Sequence, residues 1–168
     1  MSDHLSKEKR KWNMSRVRSK DTRPEYIVRS LLHRAGFRFS LRRDDLIGKP
    51  DIVLPKYNAV IFVHGCFWHR HKGCKRASTP KANREKWIKK FERNIERDKL
   101  VKDSLHNEGW NVITVWECEV KKSPNEVLNQ ILDQLGVGLK DKVQYSDKHE
   151  ILKIADSKFR TKFKKNDA

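Results

Sequence analysis

The sequence predicts an α/β domain in which a central mixed sheet is covered on both faces by helices. Three observations predict it. Short apolar runs rich in β-branched residues, at 51–54, 59–63 and 110–116, have the length and boundaries of buried strands. Apolar residues at 3.6-residue spacing in 22–36, from about 82 onward, and in 123–136 read as amphipathic helices. The order helix, strands, helix, strand, helix is the layering of an α/β fold. At 168 residues the chain is long enough to bury one full core.

The first helix opens at Thr22, an N-cap followed by Pro24 in the first turn and by Glu25, which completes a capping box. Ile27, Val28, Leu31, Leu32 and Ala35 form its apolar face, and Gly36 suits its end. Phe37–Leu41 alternates as a half-buried strand does. Gly48-Lys49-Pro50 is a turn, after which Asp51–Leu54 and Ala59–Val63 read as a hairpin around Pro55–Asn58. A long helix from about Ala82 carries Ile88, Phe91 and Ile95 on one face. Its stripe falters at Arg97–Lys99, leaving room for a bend or break, and resumes with Val101 and Leu105. Asn107–Gly109 turns the chain into the buried strand Trp110–Trp116. Ser123 and Glu126 predict a second capping box on a helix with Val127, Leu128, Ile131, Leu132 and Leu135 inward and Gly136 at its stop.

Charge narrows the partner. The 39 Lys and Arg against 22 Asp and Glu leave a net charge of +17, and such an excess points to a polyanion, nucleic acid first. No stretch approaches the ~20 apolar residues of a membrane span, and no apolar signal region opens the chain. Three cysteines fit a cytoplasmic protein with its thiols on a metal better than a disulfide framework. Residues 1–20 are a basic segment around Trp12, Met14 and Val17 that cannot form a core. It reads as a solvated tail or as an arm that orders on DNA, its apolar residues wedging between base steps. Residues 21–136 are the folded domain. Residues 137–168 are a charged extension with a short amphipathic pattern through Ile151, Leu152, Ala155 and Phe159.

The chemistry concentrates between His64 and Cys74, in HGCFWHRHKGC. Cys66, His71 and Cys74, with Cys118 downstream at the end of a strand that can lie beside the loop, make a Cys3His set, the sulfur and nitrogen complement of a structural Zn²⁺ site. Zinc is favoured over four ordinary small buried residues, and a closed set of four leaves no position for water. Asp51, at a strand start after a proline, can hold Mg²⁺, which takes few protein carboxylates and keeps most of its waters. It can equally be a turn aspartate bonding its own backbone. His64 and His69 can move a proton at neutral pH or steady a phosphate, or can be satisfied structural histidines. Glu25 can hold metal-bound water, although its capping position already explains it. Phe67 and Trp68 sit on the metal loop, where rings can stack on or wedge between bases. Trp87, Lys90 and Asn94 share one helical face and read as a base-reading surface or as a solvated face.

Taken together, Pro50-Asp51, Phe62-Val-His-Gly-Cys-Phe-Trp-His69, the Cys66/His71/Cys74/Cys118 set, Asn94-Ile-Glu-Arg-Asp98 and Val115-Trp-Glu-Cys118 resemble the very-short-patch mismatch repair endonucleases, from about Lys11 to Gly136. The resemblance implies a variant of the restriction-endonuclease fold, with 21–136 as the endonuclease domain. It implies a Mg²⁺-dependent nick beside a T·G mismatch, the product of 5-methylcytosine deamination, leaving a 5′-phosphate and a 3′-hydroxyl. A cytosine methyltransferase is the natural genetic companion. By position, Asp51 matches the metal carboxylate, Val63 a residue giving the metal its backbone carbonyl, His69 the general base, His64 a phosphate-side partner and Glu25 an outer-shell ligand. Phe67, Trp68 and Trp87 match intercalating aromatics, Met14 an arm residue entering the other groove, and Lys90 and Asn94 mismatch-contacting positions. Val63 stands where relatives often carry Thr. The resulting expectation is a cytoplasmic, monomeric enzyme with catalytic Mg²⁺ and structural Zn²⁺, acting on double-stranded DNA and open to repair-protein partners. Two alternatives stand beside it: a sequence-specific restriction-type nuclease cutting matched duplex, and a zinc-stabilised DNA-binding module without catalysis.

Overall fold

The computed structural model describes residues 20–137, together with Ser6, Glu8, Lys9, Trp12, Ser15 and Arg16. Met14 and the segment 138–168, with its amphipathic pattern, lie outside the described residues. The elements run α1 (Arg23–Arg34), β1 (Ile52–Leu54), a 3-10 turn (Pro55–Tyr57), β2 (Ala59–His64), α2 (Arg84–Asn107), β3 (Asn111–Trp116), α3 (Glu117–Lys122) and α4 (Pro124–Gln134).

The sheet has three strands in the order β1-β2-β3 and is mixed. β1 runs antiparallel to β2, a hairpin whose turn is closed by Asn58 in the left-handed conformation. β3 runs parallel to β2, pairing Ala59 with Asn111 through His64 with Trp116. A parallel pair needs a long crossover, and α2 supplies it.

Side-chain alternation divides the strands between two cores. Ile52, Leu54, Ala59, Ile61, Ile113 and Val115 face the apolar stripes of α1 and α4. Val53, Val60 and Val112 face the other way, onto Leu46 and onto Leu105 from the last turns of α2. Both faces of the sheet are therefore covered, and the α/β class holds.

Five local expectations are revised. Phe37–Leu41 forms a single bridge, Ser40 to Val53, instead of a strand. Phe37 is buried as expected, but Arg42 turns left-handed (φ 56°) and ends the pairing. α2 runs unbroken through Arg97–Lys99. Of its apolar stripe Phe91 is buried, whereas Ile88 and Ile95 are 36% and 49% exposed, because the first half of α2 extends beyond the sheet. Cys118 does not end a strand. The chain turns helical at Glu117, and Cys118 lies in the first turn of α3. At Ser123 no second capping box forms, since that residue also ends α3 and donates its N–H to the Glu119 carbonyl.

The turn before Asp51 is held against α2 by close packing. Gly48 has φ +74°, and a Cβ there would lie 2.3 Å from Val101 Cγ1. Gly48→Ala therefore combines left-handed strain with a clash, and a destabilisation of about 2–4 kcal/mol is expected from denaturant midpoints. Adding Val101→Ala should recover the clash portion only, which a double-mutant cycle measures.

Candidate active site

The site begins where β2 ends. Past His64 the chain folds into a tight loop, with His69 N–H donating to the Gly65 carbonyl and His71 N–H to the Cys66 carbonyl, and with Arg70 and Gly73 both at positive φ. This winding brings four donors together. His71 Nδ1 lies 3.7 Å from Cys66 Sγ and 3.2 Å from Cys118 Sγ, and the donor atoms of Cys66, His71, Cys74 and Cys118 all fall within 4.8 Å of one another. A tetrahedral ion with metal–ligand bonds of about 2.0–2.3 Å places its donors about 3.6 Å apart, so the set fits. The chemistry fits as well. Burial pushes the Cys66 thiol up to about 12 and also raises Cys118, whereas the Arg76 backbone N–H lowers Cys74. A cation that stabilises three thiolates removes this conflict. On the far side of the His71 ring, Nε2 faces Glu119 Oε1 at 3.9 Å, and the ring stacks on Trp116 at 4.1 Å.

Asp51 enters from the start of β1. Its Oδ2 accepts the Val63 N–H at 2.7 Å, so the carboxylate is tied across the sheet to β2. Burial pushes its pKa up to about 6, opposed by that hydrogen bond and reinforced by the charge of Glu25. Val63 packs its side chain against the first core, so what it offers the site is backbone. Glu25 is 3% exposed. Its Oε1 accepts from the Thr22 N–H and hydroxyl, and its Oε2 from the Asp21 N–H and from Arg29 at 2.6 Å. Those four contacts fill the roughly four lone-pair positions of a carboxylate. Arg29 also reaches Asp21 at 2.7 Å, and Asp21 is clasped in turn by Arg42.

The two free histidines meet face to face. The rings of His64 and His69 stack with centroids 3.8 Å apart and planes 11° apart, and Trp116 abuts His64 edge-on. His69 Nδ1 lies 2.5 Å from Asp98 Oδ2, on α2. A carboxylate can only accept, so Nδ1 carries the proton of this contact. For Asp98, burial acts upward, but the His69 hydrogen bond and the charges of His69, His64 and Arg97 outweigh it and lower its pKa. Burial, and then the neighbouring His69, push His64 down to about 4, so it is neutral near pH 7.

Beside the histidines stands an aromatic platform. Phe67, Trp68, Trp87 and Phe91 have ring centroids 5.0–5.9 Å apart. Lys90 Nζ sits 4.7 Å over Trp68, and Asn94 Nδ2 donates to the Trp68 carbonyl at 3.0 Å.

One open groove is lined by Glu25, Asp51, Val63, His64, His69, Asp98, Trp68 and Asn94. The Cys3His donors lie outside this lining and connect to it through the loop and Trp116. Two site residues were not singled out from sequence, Asp98 and Trp116. Both lie inside quoted motifs, Asn94–Asp98 and Val115–Cys118, and a search for an acceptor-only partner of His69 could have found the first.

The sequence is similar to known DNA-cleaving proteins. The family model described as DNA mismatch endonuclease Vsr matches residues 2–76. "Type II nicking enzyme V.XorIIP" of Xanthomonas oryzae pv. oryzae is 52% identical over 120 residues, covering 71% of this chain and 88% of that protein. The chain belongs to the Vsr family. "DNA mismatch endonuclease Vsr" of Escherichia coli K12 is 37% identical over 137 residues, covering 80% of this chain and 87% of that one. "Type II nicking enzyme V.NmeAIP" of Neisseria meningitidis is 41% identical over 137 residues, covering 80% and 97%. As a Vsr-family protein the chain is a DNA endonuclease, which sets aside the non-catalytic binding module.

Two outcomes follow for this Vsr-family site. Asp51 has a folded pKa raised above its usual 3.8, so its contribution to stability is complete below pH 4 and is lost as pH rises through about 6. Asp51→Asn should therefore stabilise the metal-free protein at pH 7.5 by roughly 2–3 kcal/mol and leave it nearly unchanged at pH 4, as read from urea midpoints. Cys118→Ser should lower bound metal and thermal stability together; unchanged metal stoichiometry would refute its assignment as a ligand.

Proposed function

We propose that this Vsr-family endonuclease nicks one strand of duplex DNA beside a T·G mismatch in a Mg²⁺-dependent reaction, the opening step of repair after 5-methylcytosine deamination. The observation that carries the reading is the convergence of Asp51 with the stacked His64–His69 pair and Asp98 in a single groove. Asp51 and the Val63 carbonyl are oxygen donors suited to Mg²⁺. When bound there, Mg²⁺ supplies charge stabilisation at the phosphodiester and a more acidic water.

The remaining chemistry belongs to the protein. His69 Nε2 takes the proton of the attacking water while Asp98 steadies the imidazolium through Nδ1. Water oxygen bonds to phosphorus and the bond to the 3′-oxygen breaks, that oxygen taking a proton from solvent in the open groove, giving a 5′-phosphate and a 3′-hydroxyl. His64, neutral at working pH, donates N–H to a phosphate oxygen instead of acting as an acid. Glu25 would hold the metal's waters on the oxygen that now accepts from the Thr22 hydroxyl.

Recognition rests on the platform. A T·G wobble stacks less well than a matched pair, so inserting Phe67, Trp68 and Trp87 costs less there. Lys90 and Asn94 flank the inserted rings and contact the mismatch, and Met14, on the basic arm of residues 1–20, approaches from the opposite groove. The Cys66/His71/Cys74/Cys118 set holds a structural Zn²⁺. Residues 21–136 form the catalytic unit, a restriction-endonuclease-like fold acting as a cytoplasmic monomer, with 137–168 an appendage. Among the described residues no helix is long and apolar enough to cross a membrane.

The deciding experiment compares nicking of T·G and C·G duplexes with identical flanks. A rate about 100-fold higher on T·G is expected, since a wedge that exploits a weakened pair gains a few kcal/mol. Equal rates would instead select a restriction-type nuclease on matched duplex. Asp51→Ala should keep duplex affinity and lose Mg²⁺-dependent nicking.

A further inference from the structure

The groove presents donors of two chemical kinds side by side. Asp51 and the Val63 carbonyl offer oxygen. His64, His69 and Asp98 offer two imidazoles and a carboxylate, whose donor atoms lie within 4.8 Å of one another. The three come from separate elements, namely the end of β2, the loop and α2. We propose that His64, His69 and Asp98 form a second divalent-cation site, selective for borderline ions such as Zn²⁺, Co²⁺ and Ni²⁺, and that filling it arrests nicking.

Selectivity follows from the ligands. Two nitrogens and one carboxylate oxygen match borderline ions, whereas Mg²⁺ prefers an all-oxygen shell. The carboxylate and the His69 Nδ1 already lie 2.5 Å apart and share one proton. A cation bound between them replaces that proton, which leaves to solvent. Donors around such an ion sit about 3–3.5 Å apart, within reach of side-chain rotation from the present spacing. Three protein ligands leave the fourth position to water in the open groove, so this site binds more weakly than the four-donor Cys3His set.

Arrest follows from the roles proposed above. An ion on His69 occupies the base, and on His64 it removes the phosphate contact. The arrest rests on the proposed roles of these histidines, whereas the binding does not. The cell's supply of borderline metal would then compete with repair at this site, independently of the Cys3His ion.

The test uses the full-length protein with its resident metal. Co²⁺ is titrated in without DNA and followed by visible absorbance. One added equivalent is expected, with d–d bands and no new thiolate charge-transfer band in the near ultraviolet, which would mark exchange at the cysteines. Asp98→Asn, which keeps side-chain volume, and His64→Gln, which nearly does, should each weaken this equivalent about 100-fold. Zn²⁺ at the concentrations that displace Co²⁺ should slow T·G nicking at saturating Mg²⁺ about tenfold or more, with recovery on adding a zinc chelator. No added equivalent in the wild type, or one that survives both substitutions, overturns the site. Binding without slower nicking overturns the arrest. A wild type that binds Co²⁺ but never nicks overturns the nuclease mechanism and leaves the site standing.

Discussion

The gathering of Cys66, His71, Cys74 and Cys118 is the constraint on which the rest of the site depends. A loop of this length, with Arg70 and Gly73 both left-handed, has little reason to hold one shape through its own backbone hydrogen bonds. Four donors on one ion would tie it instead to the first turn of α3, at a cost in backbone strain of only about 1–3 kcal/mol. Metal binding in such sites releases several times that. Trp116 transmits the result. It stacks on His71, abuts His64, and pairs with His64 across the parallel strands, so pinning the loop also fixes the floor under the histidine stack.

The opposite wall of the groove is held by charge. Asp21, Glu25 and Asp51 bring three carboxylates to one corner, and Arg29, 11% exposed, answers two of them directly. Asp51 is left with one backbone N–H and a pKa near 6. The imbalance has a functional sense. A fully compensated carboxylate would be more stable and would have less affinity for a cation, whereas an under-compensated one would favour a divalent cation over a proton only once the pH exceeds its pKa. The α1 capping box therefore does two jobs. It starts the helix, and it parks a second negative charge beside the first.

Much of this was legible in the sequence because it follows from strong local rules. The Thr22 cap, the hairpin at Pro55–Asn58, the apolar faces of α1 and α4 and the four metal donors are set by residue type and spacing, and they appear where expected. The misread elements are those in which long-range partners decide. Phe37–Leu41 alternates correctly, but a strand needs a neighbour, and β1 offers only three residues before its 3-10 turn. Ser123 has a helix-capping pattern but already serves as the end of α3. Asp98 carries no local sign of its role, because its partner lies on a loop distant in sequence.

The apparent fault in the long helix is the most instructive of these. Read for hydrophobicity, the stripe of α2 fails at Arg97–Lys99. Read for contacts, one face is continuous: Phe91 joins the aromatic cluster, Asn94 binds the Trp68 carbonyl, Asp98 binds His69, Val101 meets Gly48, and Leu105 enters the second core. These positions follow the alternating three- and four-residue spacing of a single helical face. The polar residues on it lie inward because what they face is the groove, not lipid-like core. A helix of 24 residues spans about 36 Å, so α2 serves as a rigid ruler along which the aromatic cluster, the Asp98 partner of His69 and the turn before Asp51 are set at fixed distances. A bend at Arg97–Lys99 would separate Asn94 from Val101 and leave the aromatic cluster and the Asp51 carboxylate free to drift apart. Continuity of the helix is therefore a requirement of the groove's geometry, and the interruption in its hydrophobic pattern marks the residues that face that groove.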